Sequence, residues 1–383
     1  VKSCKSNEGR GEVNELDSTR LHEALALAHQ SIGVSDPNPR VGCIIGHGDG
    51  RVLGAGFTQR AGDAHAEVMA LVDARSGGHD VTGATAWVTL EPCAHHGRTP
   101  PCCDALIAAG IGRVVVAVQD PFPQVAGAGM ARLRAAGIVV DMADGPIAEA
   151  ARELNIGFFS RVVRQRPWVR MKIAASLDGR TALLNGASQW ITGPQARADG
   201  HAWRKRAGAV LTGIGTVLED NPRLDVRLVP TVLQPLRVVV DSRLQLPADA
   251  RLLAPPGQVL VATTSDDPLR RSALAECGAE VARLPPDDSK VNLHALLAEL
   301  ARRNINELHV EAGQKLNASL LQAGLVDELL LYVAPVMLGI GREMATLGPF
   351  DKLSQALSFE FVDVGRVGND LRLRLRVPGR SHF

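Results

Sequence analysis

Three side chains in the first third of the chain are of the types that hold a catalytic metal. They are His65, in His65-Ala66-Glu67, then Cys93 after Pro92, then Cys102. Two thiolates and one imidazole are a common catalytic zinc set, leaving the fourth tetrahedral position for water. With two thiolates the site is formally neutral before water binds. It acidifies water less than an all-histidine site, so a neighbouring base becomes useful. Glu67 can take that proton and return it to a leaving amine. Together the residues give the H-x-E…P-C pattern of zinc-assisted deamination. The usual second motif is P-C-x-x-C, whereas here AHHGRTPP separates Cys93 from Cys102. That polar, Pro-containing insertion would form a wall of a substrate pocket. Two blander readings stand beside this one. The cysteines could be inert core residues, or Cys103, His95 or His96 could close a purely structural zinc site.

The elements that must position these groups follow from pattern. Residues 1–17 read as a disordered tail. Ser18 or Thr19 caps a helix with Leu21, Ala24, Leu25 and Ala28 at helical spacing. VGCIIG (41–46) and RVLGAGF (51–57) flank Asp49-Gly50, a hairpin signal. Helices over 65–74, 102–109, 128–136 and 146–160 then alternate with strands over 84–90, 113–118 and 138–142. His65 and Cys102 thus open helices, and Pro92-Cys93 ends a strand. A helix N-terminus favours a thiolate at Cys102. A hairpin followed by β-α-β units predicts an α/β/α sandwich with a mixed sheet. RVVRQRP (161–167) reads as the connection between a domain over 18–163 and one over 167–383. The second half alternates again, with strands from 168 and near 208–212, 237–241, 258–263, 307–311 and 328–337. Its helices fall near 194–206, 267–277, 293–303 and 314–323, and the end reads as an antiparallel pair.

Composition narrows the function classes. A chain of 383 residues is long enough for two cores. The net charge of +1 argues against broad nucleic-acid binding, which rests on a basic field. Phe 8, Trp 4 and Tyr 1 are too few for stacking platforms along a single strand. No apolar run reaches the roughly 18 residues of a membrane span. The polar start lacks the apolar core of a secretory signal, so a soluble cytoplasmic protein is expected. Six cysteines are too few for a disulfide scaffold, and their clustering at Cys93, Cys102 and Cys103 points to metal.

PNPRVGCIIG (37–46), HAEVMAL (65–71), TLEPCAHHGRTPPCCDALIAAG (89–110) and QDPFPQVAGAGM (119–130) closely resemble the bifunctional riboflavin-pathway pyrimidine deaminase/reductase family. The resemblance continues through MKIAASLDGRTAL (171–183), SQWITGPQAR (188–197) and VEAGQKLNASLLQAGLVDELLLYVAP (310–335). It implies a cytidine-deaminase-like N-terminal domain and a dihydrofolate-reductase-like C-terminal domain, using Zn²⁺ and NADPH on one phosphoribosylated pyrimidine. Homo-oligomers are possible. By motif match, His65, Cys93 and Cys102 are zinc ligands and Glu67 is the proton shuttle. Asn38 would hydrogen-bond the pyrimidine, with His95, His96 and Arg98 lining the pocket. An ordinary turn asparagine and a solvated polar loop are the alternatives.

The second half has no G-x-G-x-x-G, so a Rossmann site finds no support. It has two strand–turn–helix junctions, AVLTGIGTVLED (209–220) and HVEAGQKLNASL (309–320), where glycines let backbone N–H groups approach phosphate. The resemblance makes Ala174, Trp190, Thr216, Asp220, Gly313, Gln314, Lys315, Leu316, Asn317, Ala318 and Ser319 NADPH contacts. Ser188, Arg204, Leu224, Arg227 and Glu311 match substrate positions, and Arg204 and Arg227 suit a phosphate clamp. Core packing of Trp190 and surface ion pairing of the arginines are the plain alternatives. Lys172 and Glu311 are candidates for polarising the ribosyl group. Two other function classes compete. A nucleic-acid-editing deaminase would not need the second half, and a non-catalytic zinc-stabilised module would have a closed four-ligand site.

Overall fold

The computed structural model describes residues 13–95, 97, 100–122, 126–254 and 256–383. The chain divides into two compact units, one ending at Val163 and the other starting at Arg164.

In the first unit, α1 (Glu15–Ala28) precedes the hairpin β1 (Gly42–Gly46) and β2 (Val52–Phe57). Then come α2 (Ala66–Ser76), β3 (Thr85–Val88), α3 (Cys102–Ala108), β4 (Arg113–Val116), α4 (Ala128–Ala135) and β5 (Val139–Met142). Two helices follow, α5 (Gly145–Leu154) and α6 (Ile156–Arg164). The sheet order is β2-β1-β3-β4-β5. β1 is antiparallel to β2 and β3, while β3, β4 and β5 are parallel. Two glycines show how tightly helices lie on it. A Cβ on Gly42 would stand 1.8 Å from the Ala24 carbonyl of α1, and one on Gly56 2.5 Å from the Ala70 nitrogen of α2. Gly56 pairs with Cys43, not with Gly42, so the two glycines face opposite sides of the pleat. α1 and α2 therefore cover opposite faces, the sandwich that the sequence pattern predicts.

Three boundaries differ from the sequence reading. α1 starts at Glu15, so the last residues of the expected tail are helical. Asn14 caps it, accepting from the Asp17 N–H at 2.9 Å, and Asp17 accepts the Asn14 N–H in return. Asp17 is buried because Trp87 Nε1 and Arg113 Nη1 each donate to it at 2.7 Å. Those donors are 70 and 96 residues away, so no local pattern reveals them. The helix expected over 146–160 is two helices broken at Asn155. That side chain accepts the Arg40 N–H at 2.7 Å and donates to the Arg40 carbonyl at 2.9 Å. Finally, α6 runs to Arg164, so the expected 161–167 connection begins as helix.

The second unit contains β6 (Trp168–Ser176), β7 (Arg180–Leu183), α7 (Pro194–Arg206), β8 (Ala209–Gly213) and α8 (Ile214–Asp220). It continues with β9 (Leu236–Val240), β10 (Val259–Thr263), α9 (Pro268–Glu276), β11 (Ala279–Arg283), β12 (Pro286–Asp287), β13 (Lys290–Val291) and α10 (Leu293–Arg302). The last part holds β14 (Glu307–Val310), α11 (Gln314–Gln322), β15 (Glu328–Ala334), β16 (Gly341–Glu343), β17 (Glu360–Val367) and β18 (Asp370–Arg376). A nine-stranded sheet runs β11-β10-β9-β8-β14-β6-β15-β18-β17. It is parallel from β11 to β15, and β18 is antiparallel to both its neighbours. The strands missed in the sequence, β7, β11 and β16 among them, are short or partly exposed pieces with weak apolar periodicity. β8 and β14 are neighbours, and α8 and α11 begin where they end. Ligands bind outside the carboxyl ends of parallel strands in such sheets.

Candidate active sites

His65 is the N-cap of α2 and Cys102 the first residue of α3. His65 Nδ1 lies 3.3 Å from Cys102 Sγ and 3.7 Å from Cys93 Sγ. The three donor atoms all fall within 4.8 Å of one another. Zinc bonds of about 2.0 Å to nitrogen and 2.3 Å to sulfur require tetrahedral edges of roughly 3.5–3.8 Å. The donor set therefore fits zinc. The Cys102 N–H, at a helix start, donates to Cys93 Sγ at 3.3 Å. Hydrogen bonds from Cys102 and then His65 hold the Cys93 thiol far below its usual range. Cys102, facing that thiol and buried, is pushed up instead. Glu67, in the first turn of α2, is buried, and its carboxyl rises to about 7, first through burial and then through the Cys93 charge. A cavity of ≈ 520 Å³ opens between the starts of α2 and α3, lined by Ala64, His65, Val68, Pro101, Cys102 and Ala105.

Neighbouring groups separate the alternatives raised by the sequence. Cys103 is turned away, its Sγ donating to the Pro92 carbonyl at 3.3 Å. His95 rests against Phe122, ring centroids 6.1 Å apart. Neither joins the donor cluster among the described residues. His96 and Arg98 lie outside the described residues. Asn38 sits in a turn closed by its own N–H on the Ser35 carbonyl at 2.8 Å, and Arg40 and Asn155 anchor that turn. The sequence reading missed Glu91. Its buried carboxylate accepts N–H groups of Asp120, Gly127 and Met130, tying Asp120 and the start of α4 to the segment after β3 that carries Cys93.

In the second unit, β6 and β14 pair with Met171 opposite Val310. The next residues, Lys172 and Glu311, therefore stand side by side, Nζ 4.0 Å from Oε2. Arg204, in the last turn of α7, donates to Glu311 through Nε and through Nη2 at 2.9 Å. Burial opposes the Glu311 charge, but Arg204 and Lys172 outweigh it and hold the carboxyl well below its usual range. Desolvation lowers Lys172. His309 Nε2 lies 3.3 Å from Glu311. Arg204 Nη1 donates to the Asp225 carbonyl at 2.9 Å, which brings in Leu224 and Arg227. Burial, then the Arg204 and Arg227 cations, pull His201 down to about 4. Its neutral ring accepts the Arg227 N–H at Nδ1, 3.1 Å away. So Lys172, Arg204 and Glu311 converge, and the backbone at Asp225 and Arg227 is tied to them through Arg204 and His201.

The two glycine junctions also meet. A Cβ on Gly213 would stand 3.2 Å from Leu316, and one on Gly313 3.6 Å from Thr216. Not every expected cofactor contact faces that crevice. Asp220 ends α8, at the far end from the junction. The Asn317 side chain donates to the Met344 carbonyl, Ser319 to the Lys315 carbonyl, and Gln314 accepts the Glu343 N–H. Ala318 is buried, while Lys315 is the exposed member of the first turn. Ala174 lies on β6 opposite Tyr332. Trp190 is largely exposed beneath the Arg197 guanidinium, 4.5 Å from its ring centroid, so it is not a core residue. Ser188 lies half-buried in the loop after β7.

Comparison with known proteins matches these two sites to two families. Residues 14–118 match the cytidine and deoxycytidylate deaminase zinc-binding region, and residues 167–373 match the RibD C-terminal domain. Riboflavin biosynthesis protein RibD of Escherichia coli (strain K12) is 44% identical over 375 residues, spanning 94% of this chain and 99% of its own. The chain belongs to the RibD family. The Aquifex aeolicus RibD is 40% identical over 94% of this chain and 98% of its own. A solved structure of Acinetobacter baumannii RibD superposes with a TM-score of 0.86 at 42% identity, covering 94% of this chain and 99% of that one. The Thermotoga maritima deaminase/reductase gives 0.84 at 34%, with the same coverage. RibD membership makes this a bifunctional enzyme of riboflavin biosynthesis, with a zinc-binding deaminase half and an NADPH-using reductase half. Within that RibD frame, the sequence reading missed His201, Arg223 and Asp225. The alternation of Arg223, Asp225 and Arg227 in NPRLDVR is a local signal for the last two; none marks His201.

Proposed function

We propose that the first unit hydrolyses the 2-amino group of 2,5-diamino-6-(5-phosphoribosylamino)pyrimidin-4(3H)-one to a carbonyl, releasing ammonia. The second unit then reduces the ribosyl group of the product to ribityl with NADPH. The observation that carries the first step is the convergence of His65, Cys93 and Cys102 beside a buried Glu67. Those three side chains would hold zinc, whose Lewis acidity makes water nucleophilic near neutral pH. Glu67 is no ligand in this reading. Its carboxylate accepts a proton from the attacking water, and its acid form returns that proton to the departing amino nitrogen. Burial, which favours the neutral form of a carboxyl, suits Glu67 to both transfers. Asn38, His95, His96 and Arg98 recognise the pyrimidine.

In the second unit the junctions at Thr216 and Gly313 would hold NADPH, which would supply the hydride. Lys172, held beside Glu311, polarises the ribosyl oxygen. The Arg204 guanidinium is committed to Glu311 and the Asp225 carbonyl, so in this reading it fixes that carboxylate. Arg227 carries the phosphate contact. No helix among the described residues is long and apolar enough to cross a membrane. A cytoplasmic enzyme with small-molecule partners, acting without nucleic acid, completes the proposal. Chelation tests it. Stripping zinc should stop ammonia release while NADPH oxidation on supplied deaminated ribotide continues, and added zinc should restore the first activity. Ammonia release that survives loss of the metal would refute the zinc assignment.

A further inference from the structure

Arg132 has no role in the scheme above. It stands in the last turn of α4 and reaches both segments that carry the cysteines. Its Nη1 donates at 3.2 Å to the carbonyl of Ala94, the residue after Cys93. Its Nη2 lies 2.6 Å from a carboxylate oxygen of Asp104, in the first turn of α3 just after Cys102. One guanidinium thus spans the two ends of the AHHGRTPP insertion. That insertion does not fix the approach of Cys93 and Cys102 by its length. A segment so long can reach roughly 25 Å when extended, whereas the donor atoms lie within 4.8 Å of one another. Contacts at its ends must hold them. The Cys103 N–H donates to the Cys93 carbonyl at 3.2 Å, and the Cys102 N–H to Cys93 Sγ at 3.3 Å. Arg132 adds a hold from another element. That element is firmly based, because Glu91 accepts the Gly127 and Met130 N–H groups at its start. A Cβ on Gly129 would stand 2.0 Å from the Pro92 carbonyl, so α4 lies directly against the segment leading to Cys93. Met130 and Leu133 fix its inner face in the core.

We infer that Arg132 is a positioning residue for the zinc site, holding the Cys93 and Cys102 segments at ligand distance before the metal arrives. The inference rests on reading His65, Cys93 and Cys102 as the zinc ligands. The apparent dissociation constant of a metal rises as the fraction of metal-free protein with its donors assembled falls. A guanidinium suits the task because its rigid fork serves two acceptors at once. The partners of Arg132 are a carbonyl and a carboxylate rather than ligand atoms. Its side chain is 44% exposed. An ion pair so exposed adds little to folding, so its effect belongs to the metal site.

The test uses the full chain, stripped of metal and titrated with zinc against a competing chelator. Arg132→Ala should raise the zinc Kd about 10-fold, the lower end of what groups behind metal ligands contribute. Thermal unfolding of the metal-free chain should stay close to wild type; a purely structural role would lower it instead. At saturating cobalt the thiolate-to-metal absorption should match wild type, because the ligands themselves are unchanged. Arg132→Lys should recover only part of the affinity, since an ammonium has no planar fork for both partners. Asp104→Asn, which weakens one end of the bridge, should also raise the Kd, and adding it to Arg132→Ala should cost little more. If the alanine variant does not fold, Arg132→Lys and Asp104→Asn carry the comparison. Cys93→Ser separates the two readings. If it abolishes zinc binding while the Arg132 and Asp104 variants bind zinc as wild type does, the positioning role falls alone. If Cys93→Ser itself binds zinc as wild type does, the ligand reading falls and the inference with it.

Discussion

Glu67 carries the sharpest expectation at the scale of single residues. It is buried beside the zinc donors without being one of them. Glu67→Gln should keep a full complement of zinc by elemental analysis and lose about 10²–10⁴-fold in deamination rate, the usual contribution of a general acid–base group. Near-normal ammonia release would end its assignment. Cys93→Ser should do the opposite, losing metal first. It should also lower the melting temperature of the first unit, because metal binding energy couples to folding. These residues were legible in the sequence because their chemistry is uncommon and His65, Glu67 and Cys102 sit at helix starts, whereas Cys93 lies in the segment after β3 and not at the strand end expected. The arginines expected to clamp phosphate show what the sequence alone does not reveal. Arg204 and Arg227 look alike in sequence, yet Arg204 is spent on Glu311, more than a hundred residues away, while Arg227 pairs with Asp225 and stays partly exposed.

Elements hold these residues through buried charge as well as apolar packing. Arg170 on β6 is buried between Glu307 of β14 and Glu328 of β15, at 2.7 Å and 2.6 Å. Arg374 and Arg376 of β18 reach the same Glu328. Burial opposes the Glu328 charge, but these three arginines win and hold its carboxyl down to about 2. A depressed carboxyl contributes stability above its unfolded value of about 4.3 and loses it as pH falls. The second unit should therefore weaken from roughly pH 5 toward the folded value of Glu328. Glu328→Gln should be less stable at pH 7 by about 3–5 kcal/mol, since it leaves Arg170 short of a partner. It should also show a shallower acid slope in urea titrations; an unchanged slope would argue that Glu328 titrates normally. The strands themselves were readable from apolar runs. Neither the Arg170 cluster nor the true start of α1 was, because polar residues buried by distant partners look like surface in a sequence.

For the whole molecule, the two units should fail separately. Each buries its own apolar core, and each keeps its own site residues. Glu67→Gln should still reduce supplied deaminated ribotide, and Lys172→Ala should still release ammonia. Loss of both activities in either variant, with folding intact by circular dichroism, would contradict two separate sites. The most direct measurement follows one substrate through both. The chain is incubated with the diaminopyrimidine ribotide, with and without NADPH, and the products are identified by mass spectrometry. The account predicts 5-amino-6-(5-phosphoribosylamino)uracil without NADPH and 5-amino-6-(5-phosphoribitylamino)uracil with it. Unchanged ribotide under both conditions, or a reduced product that still carries the 2-amino group, would contradict it.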